Sequence, residues 1–199
     1  MKSLLSIAVL WCSLSLPAQT ISGRLQALPN QQISLHAFDG FESYEVDVVQ
    51  ISAEGAFKLS YQSTDYGIGY LKVAGQKPHF IILSDESTTI NGMSDDLADG
   101  MEIKEGEQNR LFATYVTQQP QREQALLAWD YLENLYRAPQ FEGFSKDQFS
   151  IEKMRLQQEE AAFLEQLPEG SYVQWFLPLR KLVSSVSTVA KYRTEEISS

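Results

Sequence analysis

From residue 19 to about residue 103, apolar side chains recur at every second position. Ile21, Gly23 and Leu25 alternate with polar neighbours until the turn signal Leu28-Pro29-Asn30, and Ile33, Leu35 and Ala37 alternate again before Asp39-Gly40. Val46, Val48 and the pair Val49/Ile51 run up to Glu54-Gly55, a hairpin-type turn, and Phe57, Leu59 and Tyr61 resume the pattern beyond it. Tyr70 to Val73, Phe80 to Leu83 and Thr88 to Ile90 complete the set. Six to eight short strands with regularly spaced turns predict an antiparallel sandwich or barrel with one apolar face turned inward.

The period changes to three or four from about Gly106. Leu111, Phe112, Tyr115 and Val116 form one stripe; Ala125, Ala128, Trp129, Leu132, Leu135 and Tyr136 form a second that ends at Pro139. Ser145 with Gln148 has the spacing of a capping box and opens a third helix through Phe149, Leu156, Phe163 and Leu164 to Pro168-Glu169-Gly170. A fourth helix is predicted over 172–189, bent or interrupted at Pro178, which lacks an amide donor. The pattern therefore predicts an α+β chain: a β-sandwich-like or barrel-like domain over 19–105, then a helical segment of three to four helices over 106–199. The segment Tyr172 to Val183 is apolar nearly all round, so it either packs between the strands and the other helices or docks on something outside this chain.

The first residues change this picture. Met1-Lys2, an apolar run from Leu4 to Trp11 and the small Ala18 after Pro17 have the three parts of a secretory signal. The run is shorter than the roughly 20 residues that span a bilayer. Residues 1–18 are expected to be a signal peptide cleaved near Ala18, which places the mature chain in the periplasm or cell envelope with no transmembrane segment. A lipoprotein signal at Cys12 is disfavoured because bulky Trp11 precedes it. Cys12 is the only cysteine, so the mature chain would carry no disulfide, thiol nucleophile or thiolate metal site. Net charge is −10, or −11 once Lys2 is removed, the wrong sign for nucleic acid or an anionic membrane surface. Solubility accounts for that charge more simply than an acidic surface built for a cationic partner.

Candidate chemistry is sparse. His36 lies opposite its apolar neighbours on an alternating segment and is expected to face solvent; His79 follows Pro78 in a turn, and neither has a partner at helical spacing for zinc. Placing Asp95 first in a calcium loop puts Asp99 and Gly100 in register but leaves Leu97 and Gly106 where oxygen ligands are required. There is no Gly-x-Ser-x-Gly and no glycine-rich phosphate loop. A hydrolase with two facing carboxylates stays a minor alternative, since such a pair is defined in space. Tyr66, Tyr70, Trp129, Tyr131, Trp175 and Phe176 could line a sugar or peptide groove, though their spacing fits core and half-buried positions better. No catalytic, cofactor-binding or metal-ligating residue is predicted, and no cofactor.

Several segments, in order, resemble the N-terminal region of exported thioredoxin-family proteins of the TlpA-like type. Ile21-Ser22-Gly23-Arg24-Leu25 with Leu28-Pro29, then Ile33-Ser34-Leu35 and Phe38-Asp39-Gly40, resemble that region's first hairpin. Val46 to Leu59 with Glu54-Gly55-Ala56-Phe57, and Ile81-Ile82-Leu83 with Thr88-Thr89-Ile90-Asn91-Gly92, resemble its following strand pairs. Glu107-Gln108-Asn109 is similar to the start of its connecting helices, and Tyr172 to Leu182 to a helical region ahead of the thioredoxin domain. The family's redox chemistry resides in a Cys-x-x-Cys of that C-terminal domain, a motif this sequence lacks, so no catalytic residue carries over.

The resemblance implies a non-catalytic exported accessory domain that positions a thioredoxin domain, dimerises, or holds a protein partner. Its candidate docking surface is Trp175, Phe176, Arg180 and Lys181. The alternative is a free-standing envelope protein that binds a glycan or peptide on exposed aromatics. The missing C-terminal stop signal is read as the front part of a longer protein, with loss of the enzyme domain as the other possibility.

Overall fold

The computed structural model describes residues 18–97, 100–137 and 147–181. Eight strands come first: β1 (Gln19–Leu25), β2 (Gln32–Asp39), β3 (Glu42–Gln50), β4 (Ala56–Tyr61), β5 (Gly67–Val73), β6 (His79–Leu83), β7 (Thr88–Gly92) and β8 (Met101–Glu105). Three helical segments follow: α1 (Glu107–Leu135), α2 (Asp147–Glu165) and α3, helical over 172–181. The signal-peptide segment, Ser145 of the expected capping box and the stretch 182–189 of the expected last helix lie outside the described residues.

The strands form two four-stranded sheets, ordered β4-β1-β7-β8 and β3-β2-β5-β6. The chain is α+β, with a β-rich N-terminal part followed by helices. One pairing departs from the antiparallel expectation: β1 and β7 run parallel, with Ile21 opposite Thr88 and Leu25 opposite Gly92. The chain leaves β1 for the second sheet, returns at β4, crosses again for β5 and β6, and comes back beside β1 in β1's own direction. Gly23 on β1 permits the close approach of β7, since a Cβ there would sit 1.6 Å from the Ile90 carbonyl oxygen.

Alternation builds the first core. Ile33, Leu35 and Ala37 of β2, Leu71 and Val73 of β5, and Ile81 and Leu83 of β6 face Ile21, Leu25, Leu59 and Ile90 of the other sheet. All are buried, and Ile51, Leu28 and Leu97 close the ends. In β6, Ile82 is buried too, on the face away from that core. Three consecutive buried aliphatics require cover on both faces of the strand, and the helices supply it. Ile82 packs with Phe112 and Tyr115 of α1, Leu167, and Val173 and Leu177 of α3 in a second core.

The two expected stripes after Gly106 are one helix. α1 runs through Pro120, which is exposed and withholds one amide from the ladder. α2 returns antiparallel to α1: Phe149 near its start packs on Trp129 and Tyr136, while Phe163 near its end packs on Tyr115. Pro178 lies inside α3 without ending it. The all-round apolar segment therefore packs between the sandwich and α1, with Trp175 and Leu179 left about half exposed.

Candidate functional site

The junction between the sandwich and the helices is where polar side chains converge, and several of them have a definable task. Asn109, on the first turn of α1, is 2% exposed. Its Oδ1 accepts from the Ile82 amide at 2.7 Å and its Nδ2 donates to the Ile82 carbonyl at 2.8 Å and to Thr88 Oγ1 at 2.9 Å. A side-chain amide that exchanges both bonds with one strand residue imitates the next strand of the sheet. Asn109 thereby satisfies the free edge of β6 and fastens α1 to β7 of the other sheet.

The start of α1 is capped from a distance. Glu86 Oε2 accepts from the Glu107 amide at 3.0 Å and Oε1 from the Gln108 amide at 2.7 Å, placing a carboxylate at the positive end of the helix. Gly106 enters the helix with φ +106, and a Cβ there would press to 2.8 Å on Thr88 Oγ1. Gln108 passes the same service on: its Oε1 accepts from the Tyr172 amide at 2.9 Å, at the start of α3. Further along, buried Glu160 of α2 accepts from the Tyr115 hydroxyl at 3.1 Å and from Lys181 Nζ at 2.6 Å. Burial and the adjoining Glu160 carboxylate push the Tyr115 phenol well up, so it stays protonated as a donor.

Two grooves open at this junction. The first, about 580 Å³, is mainly apolar and lies between β6, β8, α1 and α3, with Phe80, Ile103, Phe112, Val116 and Phe176 on its walls and Arg180 at its edge. The second, about 620 Å³, lies between residues 84–86, the start of α1 and residues 168–175. Its lining includes the carboxylates of Asp85, Glu86, Glu107 and Glu169 and the rings of Tyr66, Tyr172 and Trp175.

The four expected docking residues are distributed over this junction. Trp175 is 53% exposed, meets the Tyr172 ring edge-on and lines the acidic groove. Phe176 is half-buried against Phe112, and with Arg180 it lines the apolar groove. Lys181 is tied to Glu160. The other flagged aromatics divide. Trp129 and Phe176 are half-buried, as core spacing suggests, whereas Tyr66, Tyr131 and Trp175 are exposed because their helix or loop turns them from both cores.

Tyr70 belongs to a row on the outer face of β2, β5 and β6. His36 stacks on Tyr70 with ring centroids 4.7 Å apart, and Phe38 and Phe80 flank Tyr70 at 5.6 and 6.0 Å. His36 faces outward as expected but is half-buried there and hydrogen-bonded to Ser34 at 2.9 Å. Burial holds both its pKa and that of His79 below the ordinary imidazole value. His79 opens β6 rather than lying in a turn. Among the described residues no group of three or more histidine, cysteine or acidic side chains is placed to hold a metal ion, and no helix is long and apolar enough to cross a membrane.

No protein-family model matches the chain, and no curated protein matches it. A solved structure, a 9R-lipoxygenase from Cyanothece PCC8801, shares 17% identity over 54% of this chain and 16% of that one, with a TM-score of 0.26. A likeness that slight carries no argument about fold or activity.

Proposed function

We propose that this chain is a non-catalytic exported module that engages a protein partner, serving as the accessory N-terminal part of a thioredoxin-like redox protein. The observation that carries the reading is the state of α3. Its Val173 and Leu177 are buried in the second core, yet Trp175 on the same helix stands half exposed on the wall of the acidic groove, with Leu179 half exposed one turn further on. Exposed large apolar side chains rimmed by polar groups are the usual mark of a protein contact. Glu86, Gln108, Asn109 and Glu160 of the junction are engaged in capping and pairing, which suits a scaffold better than a reaction centre. Holding a partner beside a linked redox domain would raise its effective concentration without new chemistry.

The test is the intact mass of the native protein recovered from the envelope fraction of its source cells. A mass well above that of residues 19–199 supports a module joined to a further domain; a mass equal to those residues overturns the role in cis. Reduction of insulin disulfides by this chain alone would overturn its non-catalytic assignment.

The row of His36, Phe38, Tyr70 and Phe80 favours a second reading, a free-standing envelope protein that stacks a sugar or peptide on that face. Loss of ligand binding in a Tyr70→Ala variant, with wild-type binding detected in a glycan and peptide panel, would move the assignment there.

A further inference from the structure

We infer that the acidic groove beside α3 is a receptor for a basic side chain, lysine or arginine, presented by a partner protein. Resting on the reading of a partner-binding module, this assigns the partner's chemistry and the residues that meet it.

Three independent features of the groove converge. Its charge is of one sign: Asp85, Glu86, Glu107 and Glu169 line it, and no lysine, arginine or histidine does among the described residues. Glu86 is committed to the first amides of α1, which also offsets the helix dipole, so Asp85, Glu107 and Glu169 supply the uncompensated field. Second, Ser84 lines the groove, is 4% exposed, and has an Oγ with no hydrogen-bond partner. A buried hydroxyl without a partner is costly; its oxygen is sealed in the groove wall, so a turn about χ1 is needed to bring it to the N–H of an ammonium or guanidinium in the groove. Third, the rings of Trp175 and Tyr66, 53% and 40% exposed, stand on the walls. Aromatic faces beside carboxylates attract organic cations rather than hydrated metal ions, because the ring quadrupole and the apolar stem of a basic side chain both contribute.

A polypeptide suits the groove better than a free amine. Beyond Trp175 the exposed face of α3 continues to Leu179, 48% exposed, an apolar strip on which residues flanking the basic side chain can lie. Charge complementarity thus sets the anchor and the strip supplies contact area.

The experiment is an NMR titration of the 15N-labelled full chain with a short capped peptide containing two lysines. The same peptide with both lysines acetylated, and free spermidine, are run alongside. The basic peptide should shift the Trp175 indole N–H and the Ser84, Gly170 and Ser171 amides saturably, and the acetylated one should not. Trp175→Ala should weaken binding roughly fivefold, Glu169→Gln and Asp85→Asn each roughly two- to fivefold, and added salt should weaken it further. Ser84→Ala should weaken binding while leaving stability unchanged or raised, since it removes an unpaired buried hydroxyl. Removing the same charge from β3, the opposite edge strand of the sheet that carries β6, with Glu42→Gln and Glu45→Gln, should leave binding unchanged.

Shifts spread over the whole acidic surface, or binding indifferent to Trp175→Ala and Ser84→Ala, would overturn the site. Spermidine binding as tightly as the peptide would overturn its assignment to a protein side chain. No shift at saturating peptide would overturn the inference itself, while leaving the mass test of the accessory role untouched.

Discussion

Between the two sheets, the buried side chains are aliphatic or aromatic apart from Thr88 at the start of β7, and Tyr61 donates its hydroxyl to the Ser84 and Glu86 carbonyls at 3.1 and 2.6 Å. Beneath α1 and α2 the buried set includes Gln108, Asn109, Gln119 and Glu160 beside Phe112, Tyr115 and Leu177. The first core needs only that apolar faces meet, because each strand satisfies its backbone through its neighbours. The second joins a helix to a sheet edge and to other helices, so it must provide for unpaired amides and carbonyls as well as apolar surface. It is consequently more specific in geometry and more vulnerable to the loss of a single polar atom.

The largest effect should come from the dry core. Leu59, fully buried on β4, when replaced by alanine should cost about 2–5 kcal/mol in urea unfolding, the range for a large-to-small change that leaves a cavity. Protection from hydrogen exchange should fall in both sheets together. A loss confined to the helices would mean that Leu59 does not hold the two sheets together.

Asn109→Leu inverts that test by keeping bulk and apolar volume while removing the strand-like amide. It leaves the Ile82 amide, the Ile82 carbonyl and the Thr88 hydroxyl without their partner. At roughly 1–3 kcal/mol for each buried group left unpaired, part of it recovered by relaxation, a loss of about 2–4 kcal/mol is expected. The lost exchange protection should concentrate in α1, α3 and β6 while β1 to β5 hold. A change under about 1 kcal/mol would mean that apolar packing alone seats the helix.

These two residues also mark where the sequence was readable. Leu59 was visible because alternation with period two is a property of neighbouring residues. So was the apolar run Phe80 to Leu83, although the meaning of its buried part, Ile81 to Leu83, cover on both faces, appears only once α1 and α3 are in place. Asn109 could not be found that way: its partners lie 27 and 21 residues back, and an asparagine near a helix start ordinarily reads as a local cap. Glu86 is likewise 21 residues from the amide of Glu107 that it caps. The parallel β1/β7 pair escaped for the same reason, since periodicity identifies strands but carries no record of their neighbours. Of the docking residues, α3's apolar character was legible, but which of its side chains would stand exposed depended on which flank met Ile82.

Alkaline titration sets the two cores side by side through their tyrosines. Burial is the main cause at both Tyr61, whose pKa is pushed up to about 12, and Tyr115, also moved upward. A phenol with a raised folded-state pKa holds its proton in the fold at pH values where the unfolded chain has lost it. Stability is therefore fully present below about pH 10 and is lost as pH rises from there through the folded value. Tyr61 alone should contribute on the order of 2 kcal/mol to that decline. In Tyr61→Phe the slope between pH 10 and 12 should flatten, even though the variant is less stable at neutral pH for want of the hydrogen bond that the hydroxyl shares between two carbonyls. An unchanged slope would place the alkaline transition elsewhere.

The smallest effect, and the sharpest discrimination, belongs to Glu86→Ala. This carboxylate touches no apolar core, but it accepts from two amides at the start of α1, and Gln108, held by one of them, accepts in turn from the start of α3. Losing a helix cap costs about 0.5–2 kcal/mol. The value here should lie in the middle of that span, because water can reach the exposed Glu107 amide. The change should register as faster exchange at the first turn of α1 and, through Gln108, at the first turn of α3, with both sheets unmoved. If α1 frayed alone, the two helices would be seated independently. If both loosened by similar amounts, the polar junction acts as one linked unit, and the orientation of Trp175 above the acidic groove would depend on a carboxylate two elements away.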